Sequence, residues 1–479
     1  MRQFLLLFAA ALTLASGTPA RAADKAPPNV LLILSDDQSA PHLGCYGTAD
    51  IKTPNIDAFA RDAVRFDRYY VGTPQCVPSR ATIMTGRSAL AVQNTRFSAP
   101  LAAEYKVFPE ILKEKAGYFA GVAGRTHHLD GSATPPETAT VFERFALKTF
   151  ARRFDYAKTA GTRDATLAQY REFLDAVPKG KPFVLQLCFS DPHRPLDKNA
   201  IPQPHDPAKL KLPPFYPDTR LVREDLARYY DEISRFDADV GAVLAELNKR
   251  GLTDSTLVAV SADNGASQFR GKGTLNEFGV HCPLIVRMPG GRGKAAEALK
   301  QLISGEDLAP TFLAAAGLEP PKEMTGRSFL PLLKGETGAA REYVFAQRGA
   351  HGSGLPQTSA AFDLGRCVVG EKHKLIYNAL WQLPYWPVDF AGDEMWKELV
   401  QLHKDGKLAP ELAKLYFSPT RPMFELYDLA ADPHEMKNLA GTPEVADVEK
   451  RLKAALQEWM ILQRDFVPLP VPPPAKKKN

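Results

Sequence analysis

The stretch NVLLILSDDQ, residues 29–38, is a continuous apolar run that ends in two carboxylates. A strand with one wet face alternates polar and apolar residues. This one is apolar on both sides, which suits a strand covered on both faces inside a parallel sheet. The pattern recurs in PFVLQLCFSDPH (182–193) and STLVAVSADNG (255–265), and less sharply in CPLIVRMPG (282–290). Amphipathic helical stretches lie between them. Residues 55–64 put Ile56, Phe59, Ala60 and Ala63 on one face. DVGAVLAELNKRG (239–251) puts Val240, Val243, Leu244 and Leu247 at helical spacing, and Gly251 ends it. Buried strands alternating with helices predict an α/β fold: a large, mostly parallel sheet flanked by helices.

Three of these runs end in polar residues: Asp36–Asp37, Asp191 with His193, and Asp263–Asn264. Open α/β sheets bind ligands outside the carboxyl ends of their strands. One such Asp alone reads as a helix cap or a turn; three after three apolar runs point to a shared site. Asp36, Asp37, Asp263 and Asn264 offer only oxygen, a donor set that selects Ca²⁺ or Mg²⁺ over zinc. A cation there would screen and polarise an anionic group. Arg80, Arg125, His127, His193 and Lys272 can supply positive and protic groups around it. GRTHHLDG (124–131) and GKGTLNEFG (271–279) are glycine-flanked, as close-approach loops are. Taken singly, Arg125 and Lys272 read as solvated charges, and His127 and His193 as structural histidines. The functional reading rests on the set.

The chain has 479 residues, enough for two or three domains or one large α/β domain with a smaller partner. Its 44% hydrophobic and 24% charged residues are those of a globular protein. A net charge of +5, with no basic helix or zinc-finger spacing, gives no reason to expect nucleic acid. RQFLLLFAAALTL (2–14) and ARA (20–22) read as a secretory signal over residues 1–22. The mature chain is then exported, periplasmic or secreted, with no membrane span. Residues 24–339 are assigned to the catalytic α/β domain. From about residue 340 Pro and Trp become frequent, as in WQLPYWPVDF (381–390), and 340–465 read as a smaller C-terminal α+β domain. There FELYDLAADPHEMKNLA (424–440) reads as a strand, a turn and a helix start, and VEKRLKAALQEWMILQ (448–463) as a helix. Residues 466–479 read as a disordered Pro/Lys-rich tail. The widely spaced Cys45, Cys76, Cys188, Cys282 and Cys367 form neither a disulfide scaffold nor a zinc site. Without Cys76, four remain that could pair in an oxidising compartment.

Cys76 stands in TPQCVPSRATIMTGR (73–87), followed closely by Pro78, Ser79 and Arg80 and by a helical stretch. CVPSRATIMTGR (76–87) resembles the signature of the formylglycine-dependent sulfatases. AGVAGRTHH (120–128), SDPHRP (190–195), KGTLNEFGVHCPLIVRMPG (272–290) and ELYDLAADPHEMKNLA (425–440) fall in that family's order. The resemblance spans about residues 29–440 and implies the alkaline-phosphatase-like fold with a smaller C-terminal domain. It implies that Cys76 is oxidised to Cα-formylglycine by a formylglycine-generating enzyme, which recognises Pro78 and Arg80. The hydrated aldehyde is then the nucleophile toward sulfur. It implies one Ca²⁺ held by Asp36, Asp37, Asp263, Asn264 and modified Cys76. Arg80 steadies the aldehyde, His127 handles a diol proton, and His193 and Lys272 bind sulfate and assist the leaving group. Arg125 departs from the pattern, standing where the family usually has Lys. It keeps the charge and offers a planar fork. FSDPHRP (189–195), HKLIYN (373–378) and the 425–440 segment are similar to the heparan N-sulfatase branch. The expectation is an exported enzyme acting on sulfate esters or sulfamates of glycans, N-sulfoglucosamine among them. Two alternatives stand beside it. One is a phosphoester or phosphonate ester hydrolase on the same scaffold. The other is a non-catalytic glycan-binding protein with Cys76 unmodified.

Overall fold

All seven residues of β1 (Asn29–Ser35) are buried. Val30, Leu32 and Leu34 face one hydrophobic core, and Leu31 and Ile33 face another. The strand is apolar on both sides because it has protein on both sides, and each aliphatic side chain so buried contributes roughly 1.5–3 kcal/mol. The computed structural model describes residues 26–131, 137–338, 341–351 and 357–470. Residues 1–22, read above as a secretory signal, and most of the tail, 471–479, lie outside the described residues.

The other strands are β2 (Val64–Phe66), β3 (Tyr69–Tyr70), β4 (Phe119–Gly124), β5 (Tyr156–Ala157), β6 (Phe183–Cys188), β7 (Thr256–Ala262), β8 (Leu284–Arg287), β9 (Ala298–Leu299), β10 (Ile303–Ser304), β11 (Val344–Arg348), β12 (Gly365–Val369), β13 (His373–Asn378) and β14 (Phe424–Asp428). The main sheet has eight strands in the order β5-β4-β6-β1-β7-β8-β2-β9. Its centre is parallel, and only β8 runs antiparallel, to β7 on one side and β2 on the other. Helices cover both faces. The 30-residue helix Arg220–Lys249 packs Ile233, Phe236, Val240 and Val243 into one core, so the helix read around residues 239–251 is the end of a much longer one. The helices Cys76–Thr85 and Leu308–Ala315 fill the other. This is the alkaline-phosphatase-like α/β fold.

The second sheet is antiparallel, in the order β11-β12-β13-β14. One face packs Val368, Leu375 and Leu426 on Leu452, Leu456 and Trp459 of the helix Ala446–Leu462. The other face sends Ala346, Cys367, Val369 and Ile376 into the core of the main sheet. The smaller unit is therefore fused to the larger through apolar packing. One element differs from the sequence reading: no helix starts in 429–440. Asp428 accepts hydrogen bonds from the Ala430 and Ala431 amides, and Asp432 from the Lys437 amide. These side chains take the donors a first helical turn would use, and the chain stays in turns. All five cysteines are free thiols.

The register sets where the site forms. Leu34 of β1 and Gly124 of β4 both lie opposite Cys188 of β6, and Ser35 of β1 lies opposite Ala262 of β7. Four parallel strands thus stop at one level. Gly124 ends β4 with φ of 84°, and a Cβ there would collide with the Cys188 carbonyl oxygen. Gly124→Ala is expected to destabilise the protein by at least about 2 kcal/mol, combining left-handed strain with a backbone clash. A thermal melt unchanged from wild type would contradict this reading.

Candidate active site

The residues just past that level converge. Asp36 and Asp37 follow β1, Asp263 and Asn264 follow β7, Arg125 follows β4, and His193 follows β6. Asp37 adopts a left-handed backbone, φ 69°, which separates its carboxylate from that of Asp36. The Asp263 amide donates to the Ser35 carbonyl at 3.2 Å, and the Asp36 amide to the Asp191 carbonyl at 3.1 Å. Cys76 is the first residue of the helix Cys76–Thr85, which Gly86 ends at φ 65°. Its Sγ lies 3.5 Å from Asp36 Oδ1 and 3.9 Å from Asp37 Oδ1.

Three buried carboxylates this close need compensation. Arg80, one turn along from Cys76, gives Nε to Asp263 Oδ2 at 2.8 Å and Nη2 to Asp36 Oδ2 at 3.2 Å. Its Nη1 donates to the Arg125 carbonyl at 3.2 Å. Arg125 places Nε 2.5 Å from Asp36 Oδ2. Lys272 holds Asp37 at 2.9 Å and Asp389 at 2.7 Å. The balance shows in the acidities. Burial pushes the Asp36 carboxyl up, but the charges of Arg125, His193, Arg80 and His128 more than offset it and hold it well below the usual range. Burial, with Asp36 beside them, raises Asp37 and Asp263 despite Lys272 and Arg80. Burial opposes the charge on Lys272, yet Asp37 and Asp389 keep it firmly protonated. Burial, then Asp36, drives the Cys76 thiol well above its ordinary value. A thiol in that state is a poor nucleophile.

The donor set fits a hard divalent cation. Asp36 Oδ2 and Asn264 Oδ1 are buried and accept no hydrogen bond with good geometry. Asn264 Nδ2 donates to Asp37 Oδ1 at 2.8 Å, which fixes the amide so that its free oxygen is available. Two carboxyls held above their usual pKa, with the unpartnered Asn264 oxygen beside them, are what a cation would complete.

The structure brings Asp36, Asp37, Cys76, Arg80, Arg125, His193, Asp263, Asn264 and Lys272 into one site. The His127 side chain lies outside the described residues. Its neighbour His128 is buried, with Nδ1 3.9 Å from Asp36 Oδ2 and its ring centre 6.2 Å from that of His193. Sequence reading passed over it because nothing local distinguishes the second of two adjacent histidines as facing Asp36. Asp389 and His351 were also missed. Asp389, left-handed at φ 68°, reaches Lys272 from the Trp-rich segment, and His351 Nε2 lies 3.6 Å from its Oδ1. Nothing local in WQLPYWPVDF signals this. His193 Nδ1 donates to the Arg194 carbonyl, 2.5 Å away, and burial, then the Lys272 charge, lowers its pKa to about 4. Beside it opens a cavity of about 610 Å³, also lined by Arg194 and Asp389.

Residues 28–318 match the family model described as sulfatase. The chain belongs to the sulfatase family. It is a sulfuric ester hydrolase. Among its sulfatase relatives are an ulvan-active sulfatase of Formosa agariphila, 27% identical over 92% of this chain and 76% of the relative. Another is the N-sulphoglucosamine sulphohydrolase of Homo sapiens, 28% identical over 90% of each chain. Among solved structures, one described as a complex with its substrate D-glucosamine-2-N,6-O-disulfate matches at TM-score 0.67 and 19% identity. It covers 92% of this chain and 99% of that one. The phosphonate monoester hydrolase of Silicibacter pomeroyi matches at TM-score 0.67 and 22% identity, over 92% and 96%. These two likenesses establish the fold.

In this sulfatase Arg80 is fully buried between two carboxylates. Arg80→Gln removes the charge, strands Asp263 and leaves Asp36 to Arg125, so a loss of about 3–5 kcal/mol is expected. Chemical denaturation measures it, and a change under about 1 kcal/mol would contradict the role given to Arg80.

Proposed function

We propose that the protein is an exported sulfatase of sulfated glycans, with glucosamine N-sulfate as the leading substrate, and that Cys76 works as formylglycine beside one Ca²⁺. The observation that carries this reading is the convergence of four oxygen donors and a ring of cations on one buried cysteine. Asp36, Asp37, Asp263 and Asn264 would hold the ion. When present, the ion supplies charge screening and the modified residue supplies a hydroxyl nucleophile where the thiol is unreactive.

This chain's own residues do the rest. Lys272 and Arg125 point positive charge at the space over Cys76 Sγ, where sulfate oxygens gain negative charge as the S–O or S–N bond breaks. Arg80 holds Asp36 and Asp263 in register and anchors the Arg125 loop through its carbonyl. In neutral His193 the Nδ1 proton is shared with the Arg194 carbonyl, so Nε2, on the side of Asp37, is free to hold or move a proton. It borders the 610 Å³ cavity, which has room for the sugar leaving group. His127 is the residue given the diol proton by the family pattern, and His128, beside Asp36, is a second candidate for it. The glycan and the amine leaving group are inferred from the ulvan-active and N-sulphoglucosamine-active relatives. Export is inferred from residues 1–22, and no helix among the described residues is long and apolar enough to cross a membrane. Maturation requires a formylglycine-generating enzyme as partner.

Mass spectrometry of the tryptic peptide ending at Arg80, from protein co-expressed with that enzyme, is expected to show formylglycine at position 76. An intact cysteine, where a control sulfatase matures, would sink the reading in favour of a non-catalytic binder. Cys76→Ala is expected to abolish sulfate release from N-sulfoglucosamine with an unchanged melting temperature. Faster turnover of phosphate or phosphonate esters than of sulfated sugars by wild type would favour the phosphoryl alternative. Calorimetry on chelator-stripped protein is expected to show one Ca²⁺ bound. Asp37→Asn should weaken it about tenfold or more, and equal binding by the variant would remove Asp37 from the ligand set.

A further inference from the structure

A second cavity lies apart from the one beside His193. It holds about 820 Å³ and lies on the seam between the edge of the main sheet and the second sheet. Arg68, Lys300, Lys372 and Arg451 line it. They come from four places: the β2–β3 turn, the end of edge strand β9, the β12–β13 turn and the helix Ala446–Leu462. Arg68 Nη2 donates to the Gly370 carbonyl at 2.5 Å, which fixes the turn that carries Lys372 against the main sheet. Lys300, Lys372 and Arg451 are exposed. Among the described residues none of the four cations has a carboxylate within 4.0 Å. Arg341, also on the wall, is neutralised by Asp307. Against these stand Glu342 and Glu371, so the lining keeps an excess of positive charge. Gln301 adds a buried side-chain oxygen with no hydrogen-bond partner.

The cleft is separate from the catalytic groups. Arg348, at one end of β11, donates to the Gly273 carbonyl beside Lys272, while Arg341 and Tyr343, just before its other end, line the cleft. A five-residue strand puts roughly 15 Å between them. Four separated cations around an open groove match the spaced sulfates of a polysaccharide. Nucleic acid fits less well, because Tyr343 is the one tyrosine or tryptophan on the wall on which a base could stack.

We propose that this cleft is a second binding site, for a sulfated segment of the polysaccharide that supplies the catalytic site. The proposal rests on the sulfated-glycan reading above and extends it from the scissile sugar to the chain around it. Binding here would hold a long substrate while its sulfates are removed in turn, and a monosaccharide would be too short to use it.

The test measures binding of a heparin dodecasaccharide to the full chain carrying Cys76→Ala, which removes turnover. The comparison adds Lys300→Glu, Lys372→Glu and Arg451→Glu. The expected result is at least about tenfold weaker binding and a shallower loss of affinity between about 50 and about 200 mM salt, because fewer counterions are released. Duplex DNA of equal charge is expected to bind the parent at least about tenfold more weakly than heparin. Circular dichroism checks folding, and the triple alanine variant, expected to weaken binding by a smaller factor, serves if charge reversal perturbs the fold. Unchanged heparin affinity in the folded variants overturns the proposal, and so does equal affinity for DNA. Sulfate release from N-sulfoglucosamine by matured wild type is read separately. Its absence would refute the catalytic reading, whereas failure of the cleft shows only in the heparin measurement.

Discussion

Everything at the site depends on keeping three carboxylates together in the interior. Asp36, Asp37 and Asp263 are fully buried and adjacent, an arrangement that mutual repulsion and lost hydration both oppose. Arg80 makes it tolerable by lying between Asp36 and Asp263, and Lys272, also buried, by joining Asp37 to Asp389. The compensation is incomplete: Asp37 and Asp263 remain hard to ionise, and the Asn264 side-chain oxygen accepts no hydrogen bond. A divalent cation would close that deficit. Strain of this kind is kept in a fold when it serves a ligand.

The same electrostatics bear on Cys76. A thiol amid carboxylates and away from water resists ionisation, so the groups around it are arranged for something other than thiolate chemistry. The surrounding positive charge of Lys272 and Arg125 instead suits an anionic group arriving from solvent. The second sheet takes part, because Asp389 and His351 lie beside Lys272 from segments outside the main sheet. Apolar packing of β11, β12 and β13 into the main core holds those segments in place.

The architecture was legible because burial on both faces leaves a plain mark. Runs such as residues 30–34 have no wet side, and the polar residues that end them must lie at the sheet's carboxyl edge. Nine of the site residues named from sequence meet there: seven follow a strand or sit in a glycine-flanked loop, and Cys76 and Arg80 lie in the first turns of a helix. The helix start read in 424–440 failed for a local reason: Asp428 and Asp432 satisfy backbone amides that a helix would have used.

By itself the sequence determined the fold class, the oxygen-only donor set and the signature around Cys76, because these depend on residues adjacent in the chain or on periodicity. Only the tertiary structure decided which groups face Cys76 from a distance. It set His128 beside Asp36 and brought Asp389 to Lys272 across more than a hundred residues. It also gathered Arg68, Lys300, Lys372 and Arg451 around one cleft. The reason is physical: a side chain's direction and its partners are fixed by register and packing between elements, and neither leaves a periodic trace in the chain.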